Sequence, residues 1–283
     1  MSFRKTLLIA LGLTVAVPAG WIAWSSYSLR AEIDAHEDGV IADAVRREPA
    51  YDADAMAALP APVQRYFDFV FPDGPPLDIA YVEVEMRGSF RRPLMENFEP
   101  TTAHQVASVR KPDLVFSADT PIFGPVWAIA YDVFVDGEME MGAKLLSTLR
   151  VVDETGTPEL NRISLRRWLL ESPAYPMALL PGGPVTWEPI DDSHARAVVR
   201  AYGLEASMIA RFRDDGSLAA LDAEEDGDLT TPYHGSGEHT ARSEYRLVDG
   251  VRVPMRFEIA RAAGGETYPF WTGDIVSIRF GKR

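Results

Sequence analysis

From Leu77 onward the chain alternates apolar and polar residues with a period of two, which narrows what it can fold into. Val82, Val84 and Met86 alternate with Glu83, Glu85 and Arg87. Side chains two apart on a strand share a face, so such a run builds a strand with one buried side. Residues 103–108 repeat the pattern, with His104, Val106 and Ser108 on one face. Val126 to Phe134 is nearly continuously apolar and predicts a central strand. The stretch 138–152 follows it as the second arm of a hairpin. Further strand-like runs lie at 185–190, 194–202, 206–213, 217–223, 239–248, 251–260 and 274–280. Asp136-Gly137, Asp215-Gly216 and Asp249-Gly250 are hairpin turn pairs. About ten strands at hairpin spacing predict a meandering antiparallel sheet rather than βαβ units. No linker divides this part, so it reads as one domain.

One stretch breaks the period. Thr157 to Gly183 carries a helix with its own stop and start signals. Thr157 is a capping residue, Pro158 suits the first helical position, and Ser172-Pro173 ends the run. Leu165, Trp168 and Leu169 share one face, widened by Ile163 and Leu170. Arg167 and Glu171 have the i, i+4 spacing of an ion pair. The turn after it, Tyr175 to Leu180, is again apolar. Either this segment plugs one face of a curved sheet, or it forms a lid over an apolar pocket. Upstream, 54–58 predicts a short helix. A second opens at Pro62, with Val63, Tyr66, Phe67 and Val70 on one face.

The N-terminus has a different character. Arg4 and Lys5 precede an uncharged run from Thr6 to Ser28, and Trp21, Trp24 and Tyr27 cluster at its far end. About 22 residues at helical rise span ~33 Å, enough for a hydrocarbon core of ~30 Å. Interfacial aromatics and the flanking charges predict a retained anchor, with everything after Arg30 outside the cytoplasm. The competing reading is a signal peptide cleaved near Val17-Pro18-Ala19. Ala31 to Arg47, with Ile33, Val40, Ile41 and Ala44 as a thin apolar stripe, reads as a stalk leaving the membrane.

Composition excludes several chemistries. With no cysteine among 283 residues, the chain has no disulfide, thiolate metal site or Cys nucleophile. A net charge of −14 opposes binding to phosphate backbones, so no nucleic-acid partner is expected. His234 and His239 flank Glu238, but at i+5 and with Gly235 and Gly237 between them, which does not fit a helical zinc site. Asp222 to Asp228 begins like a calcium loop, yet its twelfth position is Tyr233. No Walker loop, dinucleotide fingerprint or G-x-S-x-G elbow is present. The case for an enzyme rests on His194, His234 and Glu238 converging. The predicted catalytic, metal and cofactor sets are therefore empty.

An ordered set of short motifs carries a resemblance: 59–66, 87–91, 169–173, 176–180, Trp187, 250–254 and 268–271. Over roughly Leu59 to Phe280 the chain resembles an uncharacterised bacterial family, a domain of unknown function. That family has no established activity and so implies no catalytic residues. Its layout is similar to the half-barrel of periplasmic lipoprotein carriers. The expected fold class is α+β, mainly antiparallel β: a curved sheet or half-barrel with helices on its concave side, preceded by an N-terminal transmembrane helix. The expected divisions are an anchor at 1–30, a juxtamembrane helical segment at 31–76, and a β-rich domain at 77–283 with a helical insert at 157–181. Trp127, Trp168, Tyr175, Met177, Leu180, Trp187 and Trp271 are the candidate ligand-binding residues. The favoured reading is a single-pass protein of the bacterial inner membrane. Its extracytoplasmic domain would bind a lipid or other apolar ligand, and its N-terminal helix would sit in the bilayer. An envelope-associated hydrolase and a structural or assembly module offering a sheet edge remain the alternatives.

Overall fold

The computed structural model describes residues 3–92, 95–229 and 237–283, with side chains from residue 16 onward. The first meander comprises β1 (Ile79–Arg91), β2 (Phe98–Ser108), β3 (Leu114–Phe123), β4 (Val126–Val135), β5 (Glu138–Leu145) and β6 (Leu149–Thr155). The second comprises β7 (Val185–Pro189), β8 (His194–Ala201), β9 (Leu204–Phe212), β10 (Leu218–Asp222), β11 (Glu238–Val248), β12 (Val251–Ala263) and β13 (Glu266–Lys282). Together they form one 13-stranded sheet in which every pairing is antiparallel. The meanders join through β1 and β13, which leaves β6 and β7 as the two edges. The alternation pattern had predicted about ten strands. It passed over β3, whose Ser117, Asp119, Thr120 and Pro121 blur the period, and it merged β5 with β6.

Four helices accompany the sheet: α1 (Phe3–Arg46), α2 (Ala53–Met56), α3 (Ala61–Val70) and α4 (Pro158–Glu171). Helix α4 has the predicted caps: the Thr157 side chain accepts from the Leu160 amide, and Pro158 occupies the first turn. It touches β4 and β5 on one side and β8 and β9 on the other. Nine strand spacings separate β5 from β9, about 43 Å in a flat sheet. A helix about 10–12 Å wide reaches both only if the sheet curls around it.

At one point the curl brings the two meanders into contact. The Tyr202 hydroxyl, in the β8–β9 turn, donates to Asp113 Oδ1 at 2.5 Å in the β2–β3 connection. Its ring meets Phe134 edge-on and takes the Lys111 ammonium over its face. Tyr202 has φ 55° and Gly203 φ 75°, a tight turn that aims the ring across the seam.

The large apolar core lies inside the curl. Helix α3 closes part of it, burying Val63, Tyr66, Phe67 and Val70, the face read from the sequence. A second, smaller core lies outside. There Leu29, Ile33 and Val40 of α1 pack on Val106, Val115, Ile129, Tyr131 and Val133. The stretch read as a free stalk is thus docked on β1–β4 through its apolar stripe. Ion pairs align it, from Arg30–Asp119 (3.1 Å) through His104–Glu37 (3.0 Å) to Lys111–Asp43 (3.3 Å). Among the described residues, no helix is long and apolar enough to cross a membrane.

Candidate ligand site

The topology dictates where a site forms. The chain leaves the sheet at β6, on one edge, and must re-enter at β7, on the other. The connection is α4 and two 3₁₀ turns, Ser172–Ala174 and Pro176–Leu179, and it fills the interior of the curl. It is buried almost throughout, from Leu160 to Pro181.

Six of the seven candidate residues belong to the interior cluster. Trp168 is fully buried, and its Nε1 donates to the Ser108 carbonyl at 3.1 Å. Tyr175 is also fully buried and donates to the Trp168 carbonyl at 2.9 Å. Burial pushes its phenol well above the ordinary value, so it remains a neutral donor. Half-buried Trp187 donates to the Leu179 carbonyl at 3.1 Å, tying edge strand β7 to the second 3₁₀ turn. Met177 and Leu180 are buried beneath that turn. Trp271 meets Phe90 edge-on and Phe257 at a tilt on the sheet itself. Trp127 lies apart from these six, on the outer face against the α1 cluster. Strand parity is the reason: Trp127, Ile129, Tyr131 and Val133 point outward, while Asp132 and Phe134 point inward.

Arginine–carboxylate pairs hold the plug to both meanders. On the first, Arg167 of α4 donates to Asp132 of β4 and stacks on Phe116. Burial opposes the Arg167 charge, yet Asp132 and Glu171 hold its pKa above the ordinary arginine value. On the second, Glu238 and Arg242 share the inner face of β11. Glu238 pairs with Arg166, and Arg242 donates to Glu171 Oε2 at 2.9 Å and to the Leu170 carbonyl at 3.0 Å. Burial pushes the Glu238 carboxyl above the ordinary range. The Arg167–Glu171 ion pair expected at i, i+4 survives as an electrostatic attraction, while the direct contacts of the two side chains go to Asp132 and Arg242 on the sheet.

A surface cleft of about 340 Å³ opens at the seam between the meanders, lined by Arg47, Arg110, Lys111, Asp136, Gly183 and Tyr202 among others. Beside it a slot of about 20 Å³ passes Ile79, Val109, Met177 and Leu180. That is room for roughly one water. With the plug seated, this slot is too small for an acyl chain.

The features that suggested catalysis have other partners. His194 Nδ1 faces both Asp191 (2.9 Å) and Ser193 (3.0 Å). A catalytic relay would need the serine on the other ring nitrogen. Three strand spacings, about 14 Å, separate β8, which carries His194, from β11, which carries Glu238. His234 lies outside the described residues, as do Ser236 and Tyr233. Among the acids of 222–228, Asp222 faces His239, Glu224 takes Arg196 and Ser207, Glu225 takes Arg166, and Asp226 accepts from the Gly264 amide.

Residues 57–280 match the family of unknown function DUF6920. The chain belongs to this family. The sequence resemblance and the match therefore agree over nearly the same span. No curated protein matches the chain. Among solved structures, it is similar to a LolA superfamily protein from Nitrosomonas europaea, with TM-score 0.38 and 8% identity over 78% of this chain and 93% of that one. It is also similar to a putative outer membrane lipoprotein-sorting protein domain from Vibrio parahaemolyticus, with TM-score 0.39 and 5% identity over 71% and 85%. The half-barrel layout of this DUF6920 member stands on its own strand order and the helix in its curl. The latches and the Tyr202 seam had no sequence signal, since their partners are far apart in the chain: 71 residues for Arg242–Glu171 and 89 for Tyr202–Asp113.

Proposed function

We propose that this protein takes an apolar ligand of the acyl-chain type into the curled sheet, where it replaces the segment 157–181. The observation that carries this reading is how the segment is held. Its apolar face would seat without help, yet buried ion pairs secure it on both sides. Buried pairs stabilise poorly compared with apolar contacts of the same shape, because each charge loses its hydration. A plug held by them is well seated but separable, and the space it vacates is lined by Trp168's neighbours and the inner faces of both meanders. In the same reading, residues 1–30 hold the protein in the bacterial inner membrane with the β domain on the extracytoplasmic side. The uncharged run at 6–28 and the exposed Trp21, Trp24 and Tyr27 support that placement.

The test uses the full chain in cells fed a photoactivatable fatty acid. After irradiation, mass spectrometry maps the crosslinked residues. Crosslinks on inward-facing sheet residues outside the displaced segment, Trp187, Met208 or Trp271, are expected. Crosslinks confined to residues before Leu29 would leave an anchor with no interior ligand and would overturn the carrier reading.

A further inference from the structure

We infer that the end of the domain bearing Phe98 at the start of β2 and the β3–β4 and β5–β6 turns rests in the surface of a lipid bilayer. The inference deepens the anchoring put forward above and rests on it.

Helix α1 fixes the direction. Its Arg30 pairs with Asp119, near the end of β3 that turns into β4, and its Asp43 pairs with Lys111, in the connection at the opposite end. The helix therefore leaves the sheet at the β3–β4 end. From Asp119 to Phe123 is about 13 Å of strand. From Arg30 back to Trp21 is also about 13 Å of helix. Trp21 and Trp24 thus come level with the Phe123 tip.

Large apolar side chains stand exposed at that level, beside the polar Glu96, Asn97 and Arg150. Phe123 is 71% exposed, Leu149 61% and Phe98 43%, one from each hairpin. Trp21 and Trp24 are more than half exposed, with ring centroids 5.1 Å apart. The turns at the opposite end of the same meander hold the charged residues Arg110, Lys111, Asp113 and Asp136, of which Asp136 is exposed and Lys111 and Asp113 are buried. Among the described residues, the exposed large apolar side chains on this meander's strands, Phe98, Phe123, Leu149 and Val151, all lie toward this end.

The bilayer is the occupant that fits. The tips are separate points in one plane rather than a continuous patch of the kind a folded partner buries. They are continuous with an uncharged helical run whose last residues are Trp and Tyr, the side chains of the lipid–water boundary. The chain's charge of −14 rules out electrostatic attraction to anionic lipid as the driving force, so zwitterionic lipid suffices.

The absence of cysteine makes the test clean. Full-length variants Val17→Cys, Phe123→Cys, Leu149→Cys and Leu247→Cys are each labelled with an environment-sensitive NBD dye. They are then reconstituted into phosphatidylcholine vesicles containing a lipid with a nitroxide on its acyl chain. All four positions are exposed, so labelling leaves the fold intact. The probes at 123 and 149 should show blue-shifted emission and loss of intensity to the nitroxide, as at 17. The probe at 247, beside the β11–β12 turn, should show neither. Water-like emission at both 123 and 149 overturns the inference. Quenching at 17 in that case would leave the anchor standing, whereas its loss there would remove the anchor as well.

Discussion

The Arg242–Glu171 pair offers the sharpest test of how the plug is held. Arg242 is 2% exposed and Glu171 6%, so both charges are out of water. Glu171→Gln removes the anion and leaves the buried guanidinium with neutral partners alone: the Leu170 carbonyl, the face of Phe257 and the glutamine amide oxygen. Removing one partner of a buried pair costs about 3–5 kcal/mol. That is a large share of a total stability of about 5–15 kcal/mol. With a urea m value near 3 kcal/mol/M, the midpoint falls by about 1 M or more. Replacing both partners by apolar groups, in Glu171→Leu with Arg242→Met, should leave stability near the parent or raise it by about 1–4 kcal/mol. The orphaned Arg242 Nε would also disappear. The assay is urea unfolding of the full chain in nonionic detergent, followed by tryptophan emission, which Trp168 in the plug reports directly. The double variant should also give fewer interior photocrosslinks, because its plug no longer separates along a line of charge. A double variant as unstable as Glu171→Gln would refute the reasoning, since the pair would then be an ordinary core contact.

Two further outcomes follow from contacts at the seam and on the outer face. The bond to Glu37 raises the His104 pKa above its ordinary 6.5. Its stabilisation is therefore fully present below that value and is lost as pH rises through the raised one. Proteolysis within 31–46 should accelerate from mildly acidic to mildly alkaline pH in the parent but not in His104→Gln, and a flat profile in the parent would contradict this account of α1 docking. Tyr202→Phe deprives buried Asp113 of one donor while leaving it Lys111 at 2.7 Å, at a cost of about 1–3 kcal/mol. The melting temperature should drop by several degrees, and an unchanged value would show that this contact does not close the seam.

Elements with local signals were legible in the sequence, and long-range geometry was not. Helix α4 announced itself through Thr157, Pro158 and an apolar face, and α3 through Val63, Tyr66, Phe67 and Val70. Hairpins with Asp-Gly turns were equally plain. Trp127 shows the limit. The run Val126–Phe134 is apolar on both faces, because one face meets the interior and the other meets α1, so composition alone does not say which way its Trp points. The turn at Tyr202 was hidden for another reason: a bulky residue at positive φ is uncommon, and only contact with the far meander holds it there. The Arg166, Arg167 and Arg242 latches carry no local signal of their sheet or helix partners, which the curl brings together by placing β4 and β11 beside the same helix.

The pairing of β1 with β13 has a consequence for how the protein is made. The sheet's central joint matches Glu83 with Arg279, 196 residues apart. Each meander is assembled from neighbouring hairpins and can form as the chain emerges, but the two halves have no shared strand until residues 266–282 have left the ribosome. Until then the two walls around the plug segment are not joined, and its apolar face is open to chaperones or proteases. Strand β13 is thus the one that joins the two halves of the sheet, and the two meanders emerge as separate pieces before they pair.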